Sequence, residues 1–182
     1  SALMFAALLH DIGKPGTTRA RDGKITAYGH DVSGDKMARS FLRKFTAGQH
    51  LVSEVGTLVR EHMQPVLLYK QKERVSDKAI RKLVNRVNLS ELLLLAEADF
   101  KGRTFERDFD LISSWLLGRV YALGLKPDER IEPLVAGKDL MAMGFNPGKR
   151  FTRILEYAFE LQLEGRDKDE IIIQIRNKYK PG

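Results

Sequence analysis

A chain of 182 residues, 43% apolar and 30% charged, with no low-complexity tract, fits one globular domain with room for a small appendage and excludes a disordered tether. The absence of cysteine excludes disulfides and thiolate metal sites, and suits the reducing cytoplasm, where the protein is expected to reside. A net charge of +7 points to an anionic partner, while no apolar run approaches the ~18 residues of a membrane span, so no membrane partner is expected.

Helical periodicity dominates from the first residues. Ser1 leads directly into Leu3-Met4-Phe5-Ala6-Ala7-Leu8-Leu9 without a cap or initiator methionine, which reads as a piece of a longer protein with Ser1 a cloning or cleavage remnant. This apolar helix runs to His10-Asp11, and Gly13 and Pro15 break it. Asp22-Gly23 predicts a small hairpin or loop excursion, but no run is long enough for a sheet. A second helix starts near Asp31 with the stripe Met37, Ala38, Phe41, Leu42, Phe45, and ends by Gly48. A third carries Leu51, Val55, Leu58, Val59 and His62 and stops at Pro65.

Ser76 can cap a helix burying Ile80, Leu83, Val84 and Val87. Asn88 and Glu91 have capping-box spacing before Leu92-Leu93-Leu94-Leu95, a helix apolar all round and so central, with Asp99 at its far end. A sixth helix, roughly 104–123, buries Phe109, Ile112, Trp115, Leu116 and Val120, closed by Gly124 and Pro127. Past a hinge at Pro127–Pro133, a short helix opens at Gly137 and ends at Gly144. Pro147-Gly148 then leads into a longer helix, and Asp167 and Glu170 cap a last one carrying Ile171, Ile172, Ile175 and Tyr179.

The basic excess is uneven: residues 1–130 hold 22 Lys and Arg against 16 Asp and Glu, the remainder 9 against 8. The densest stretch, Lys70 to Arg86, reads either as a solvated helix face or as a track for a phosphate backbone through Lys78, Arg81, Lys82 and Arg86.

Three of the four histidines stand in unusual company. His10 and Asp11 end an apolar helix, where burial is costly unless a partner offsets it, and a divalent cation is one such partner. Neighbouring helical side chains diverge by about 100°, so both reach one site only at a helix end, which Gly13 supplies. Asp99 also ends an apolar helix and is the natural distant ligand. His62 lies on an apolar stripe, and His30 precedes a helix start whose free N–H groups favour anions. The plain alternative for each is a hydrogen-bonded core polar group.

Leu9-His10-Asp11-Ile12-Gly13-Lys14-Pro15 resembles the signature of HD-superfamily metal-dependent phosphohydrolases, in particular those inside bacterial tRNA nucleotidyltransferases of the CCA-adding and poly(A) polymerase type. Tyr28-Gly29-His30-Asp31 with Gly34, Arg60-Glu61-His62-Met63, and Ala96 through Arg103 match in order. Gly137-Lys138-Asp139-Leu140 through Gly144 and Pro147-Gly148 is similar to that subfamily's C-terminal RNA-facing region.

The resemblance implies an all-α fold: an HD-type helical bundle over residues 1–126 and a small helical, RNA-facing appendage over 127–182. It implies a divalent ion (magnesium, manganese, nickel or similar) on His10, Asp11 and Asp99, with these and His62 catalytic. His62 and His30 would face the phosphate or join the metal cluster, and Lys14, His30 and Arg103 would contact substrate. The implied substrates are 2′,3′-cyclic nucleotides, 2′-nucleotides and simple phosphate esters; the implied partners are tRNA and a nucleotidyltransferase head. The family pattern places one more histidine upstream of the His-Asp pair, and the head's Gly-Ser and Asp-x-Asp elements are not among these residues, so the chain alone is not expected to add nucleotides. Three readings follow: a phosphohydrolase domain, a tRNA-holding body whose HD site is inactive, or a purely structural relic of that site.

Overall fold

Small residues decide how closely the first helices pack, and that packing brings distant chain segments to one place. The structure, a computed structural model, describes residues 1–45, 48–102 and 108–180. It is helical throughout apart from one hairpin, as expected of an all-α chain. Helix α1 (Ala2–Leu9) ends at the His10-Asp11 turn, and α2 (Lys14–Thr17) follows at once. Pro15 therefore does not only break a helix: it sits in the first turn of the next, where its missing N–H costs nothing. Strands β1 (Arg19–Arg21) and β2 (Lys24–Thr26) pair antiparallel across Asp22-Gly23, whose φ of 50° and 71° supply the turn.

Helix α3 (His30–Leu42) packs on α4 (Gln49–Glu61), and here the stripe expected from sequence is rotated. The buried face is His30, Gly34, Asp35, Ala38 and Leu42, while Met37, Phe41 and Phe45 are exposed. Close approach explains the choice: a Cβ on Gly34 would lie 3.1 Å from Val59 Cγ1, and one on Gly56 would meet the Asp35 carboxylate and Arg39 guanidinium. Large aromatics cannot occupy such a contact. Gly48 precedes α4 as its N-cap rather than ending α3.

Pro65 likewise starts a helix, α5 (Gln64–Lys70). Ser76 Oγ accepts from Ala79 N at 3.2 Å to cap α6 (Asp77–Arg86), and Asn88 Oδ1 accepts from Glu91 N at 3.0 Å to cap α7 (Leu89–Lys101). Such caps contribute about 1 kcal/mol each. Leu92, Leu93 and Leu95 of α7 are buried, but Leu94 is 55% exposed, so α7 is not central on every side. Helix α8 (Asp110–Ala122) completes the first core with Ile112, Leu116 and Val120; the predicted start near 104 lies outside the described residues.

A second, separate core joins Leu140, Ile154, Ala158, Ile171 and Ile175 from α9 (Gly137–Ala142), α10 (Lys149–Leu163) and α11 (Lys168–Lys178) with Val135 and Phe145, which flank α9. The Asp167–Glu170 capping box forms in both directions, at 2.8 and 3.2 Å. No helix among the described residues is long and apolar enough to cross a membrane.

Candidate metal centre

Four chain segments converge on one point: the end of α1, the start of α3, the end of α4 and the last turn of α7. His10 Nε2 lies 3.3 Å from Asp11 Oδ2 and 3.7 Å from Asp99 Oδ1. His30 Nε2 lies 3.6 Å from Asp11 Oδ1 and 3.4 Å from His62 Nε2. Gly13 makes this possible. A Cβ there would lie 2.2 Å from the His30 carbonyl oxygen and 2.7 Å from Gly34 N, so only glycine lets the Asp11 turn settle against α3.

All three histidines are held alike. The Nδ1 of His10, His30 and His62 lies 2.8, 2.7 and 2.7 Å from the carbonyl oxygens of Ala7, Ala27 and Val59, each three residues earlier. A carbonyl only accepts, so Nδ1 carries a proton and donates, and in the neutral ring each Nε2 turns a lone pair into the site. This is the arrangement by which backbone carbonyls orient metal-binding imidazoles. Without a positive charge it is uncomfortable: the His30 and His62 lone pairs face one another at 3.4 Å, and Asp11 Oδ1 is buried with no hydrogen-bond partner.

A divalent cation fits both features. Two donor sets have ligand atoms within 4.8 Å of one another, His10, Asp11 and Asp99 in one and Asp11, His30 and His62 in the other. Asp11 belongs to both. Sequence reasoning placed His30 and His62 between phosphate and metal roles; the geometry places both Nε2 atoms among the potential metal donors. It did not find the Ala7, Ala27 and Val59 carbonyls, whose only sequence signal is a histidine at a helix end.

Electrostatics separates the histidines. The Asp99 carboxylate, 3.7 Å away, raises the His10 pKa above its ordinary 6.5, against the effect of burial. Burial lowers that of His62, which stays neutral. By linkage the His10 proton contributes stability below pH 6.5 that fades as pH rises through its raised pKa. His62 acts in reverse, costing stability as pH falls from 6.5 through its lowered pKa.

Beside His10, Asp11 and Asp99 opens a pocket of ≈ 390 Å³, also lined by Ala7, Lys14 and Gly102 among others. Lys14 Nζ sits 2.5 Å from Asp11 Oδ2, so the expected phosphate contact is at the pocket, bonded to a ligand. Arg103 lies outside the described residues.

Residues 1–100 match the sequence profile of the HD domain family, a span that includes every candidate donor named above. The chain belongs to the HD domain family. Among curated proteins, this HD chain is 35% identical over 169 residues to the CC-adding tRNA nucleotidyltransferase of Thermus thermophilus, covering 89% of the chain and 36% of that protein. It is 30% identical over 172 residues to the A-adding tRNA nucleotidyltransferase of Deinococcus radiodurans, covering 90% of the chain and 38% of that protein. The chain thus spans little more than a third of the length of the relatives it matches. No solved structure gives a significant match.

Outside the HD centre, Lys78, Arg81, Lys82 and Arg86 do not form the free track that their density in sequence suggests. Lys78 pairs with Glu160 at 3.3 Å and Glu164 at 2.7 Å, and Lys82 with Glu160 at 2.9 Å. Arg81 donates to the Leu163 carbonyl at 3.3 Å, closing the end of α10. Arg86 reaches Glu61, the buried residue before His62, at 3.4 Å. Their partners lie 25 to 86 residues away in sequence, beyond any local charge count.

Proposed function

We propose that this chain is a metal-dependent phosphohydrolase domain acting on 2′,3′-cyclic nucleotides and related phosphate esters, within a cytoplasmic tRNA nucleotidyltransferase-like protein. The observation that carries it is the convergence of three identically tethered imidazoles and two carboxylates, with an unsatisfied carboxylate oxygen among them, beside an open pocket that His10, Asp11 and Asp99 line. A divalent ion held there would polarise a phosphoryl oxygen and lower the pKa of a bound water.

The protein's own groups do the rest. His10, Asp11 and Asp99 hold the ion, and the Ala7 carbonyl fixes the His10 ring. His62, kept neutral by burial, and His30 complete the donor array beside Asp11. Lys14 would leave Asp11 to meet a phosphoryl oxygen, and Arg103 is the second cation of this proposal.

The test is 2′,3′-cyclic AMP incubated with magnesium, manganese or nickel. Hydrolysis should rise at least ~100-fold over the metal-free protein and vanish in His10→Ala. Because Asp99 holds a proton on His10 above pH 6.5, activity and metal retention should be lost as pH falls toward 6.5, earlier than for an ordinary histidine ligand. No turnover with any ion would overturn the hydrolase reading.

A second reading, a body that holds tRNA, is favoured by the extent of similarity: both relatives match about nine tenths of the chain, past the HD region and across the second core. In this reading residues 127–182 face the RNA. Affinity for tRNA should then fall steeply with salt. Since Arg81 and Lys82 are engaged with α10, Arg81→Glu with Lys82→Glu should leave that slope unchanged and lower stability modestly; a flattened slope would instead assign them to phosphate contact.

A further inference from the structure

The β1–β2 hairpin belongs to neither core, and its exposure is unusual for a segment inserted between two metal ligands. Arg19, Ala20, Arg21, Lys24 and Ile25 are all exposed, Ile25 at 82%, and Tyr28 just beyond is 72% exposed. An isolated two-stranded ribbon is marginal in water, and this one buries little of its surface.

The register sorts its side chains by face. Arg21 pairs directly with Lys24, and Arg19 lies two residues before Arg21, so all three cations share one face of the ribbon while Ala20 and Ile25 occupy the other. Like charges directly opposed destabilise a strand pair. None of the three forms an ion pair with a described residue. The Arg21 guanidinium carbon lies 5.7 Å from the centre of the Tyr28 ring, which joins an exposed aromatic surface to the cationic face.

Position matters as much as composition. The segment leaves the pocket at Lys14 and rejoins the donor cluster at His30, whose ring is tethered to Ala27 and which groups with Asp11 and His62. Tyr28 is two residues from His30, a backbone span of about 7 Å at most. Both ends of the hairpin segment are therefore tied to the donor cluster, through Lys14 and His30.

Cations beside an exposed planar ring suit single-stranded nucleic acid, which offers phosphates and unstacked base faces together. A duplex hides its base faces, and an acidic protein would leave Tyr28 without a role. We propose that residues 19–28 form a platform for single-stranded RNA whose terminal phosphate enters the HD pocket. Arg19, Arg21 and Lys24 contact backbone phosphates, and Tyr28 stacks a base. The substrate class is then an RNA strand ending in a 2′,3′-cyclic phosphate rather than a free nucleotide, an inference that rests on the phosphohydrolase reading.

Binding is measured by fluorescence anisotropy of a labelled hexanucleotide ending in 2′,3′-cyclic phosphate, on the full chain without added metal, so it needs no turnover. The hexamer should bind at least tenfold tighter than 2′,3′-cyclic AMP competes. Arg21→Ala with Lys24→Ala should lower the slope of log affinity against log salt by about 1.4, near 0.7 per lost phosphate contact. Tyr28→Ala should weaken binding at least fivefold and Tyr28→Phe restore it, since the ring and not the hydroxyl does the stacking. The KM of the hexamer relative to cyclic AMP should rise in the same order. Hexamer binding no tighter than the mononucleotide, or insensitivity to all these variants, overturns the platform. So does competition by polyglutamate as strong as by the hexamer with no loss in Tyr28→Ala. Absence of cyclic AMP turnover overturns only the hydrolase reading.

Discussion

Replacing Asp11 by asparagine is expected to abolish the thermal stabilisation conferred by divalent ions, and hydrolysis with it by at least ~1,000-fold, without destabilising the metal-free protein. Asp11 is the one residue common to both donor sets, so its loss empties each of a charged ligand. In the metal-free protein the same carboxylate is a burden: its Oδ1 is buried and unsatisfied. An amide keeps the shape and discards the charge, and half-exposed Lys14 returns to water at little cost. An ion at 100 times its Kd stabilises by about 2.7 kcal/mol, a shift of roughly 5–10 °C for a chain of this size. Calorimetry of both proteins with and without ion reads the difference. An asparagine variant that keeps the full shift would remove Asp11 from the ligand set.

The second large effect is expected at Gly13, whose φ of −79° is open to any residue. Gly13→Ala therefore isolates sterics from backbone conformation. Its methyl would press on the His30 carbonyl oxygen and Gly34 N, backbone atoms that cannot rotate away. A cost of about 3 kcal/mol is expected, at the upper end for overpacking. Any relief must move the Asp11 turn off α3 and widen its 3.6 Å approach to His30, so metal affinity should fall with stability. Gly16→Ala, three residues on and with nothing within 4 Å of the added methyl, should change neither. Urea midpoints and metal titrations of the two variants decide the matter; equal behaviour would mean the turn is not held by this contact.

The residues that converge could be picked out in sequence because each carries a local mark. His10-Asp11 before Gly13, His62 on an apolar stripe and Asp99 closing a leucine-rich helix are oddities that no partner is needed to see. What sequence could not show depends on the partner. The face α3 buries is set by Val59 and the room above Gly56, so periodicity alone favours the larger Met37, Phe41 and Phe45 that the structure leaves exposed. Leu94 looks like its buried neighbours until the direction of the neighbouring helices is known. Lys78 and Lys82 look free until Glu160 and Glu164 arrive from the other core. Prolines 15 and 65 read as breaks because a first-turn proline and a helix-ending proline are alike in sequence.

A single carboxylate shared by two donor sets also makes them unequal. The set with Asp11 and Asp99 brings two formal negative charges and one imidazole; the set with His30 and His62 brings two imidazoles and only a share of Asp11. The oxygen-rich half suits a hard, strongly hydrated ion such as magnesium or manganese, whereas the nitrogen-rich half suits a more polarisable one. Each ion bound would also draw charge from the carboxylate the other needs. Occupancy should therefore be stepwise and self-limiting, with the choice of metal reported by how far along that staircase the protein stands.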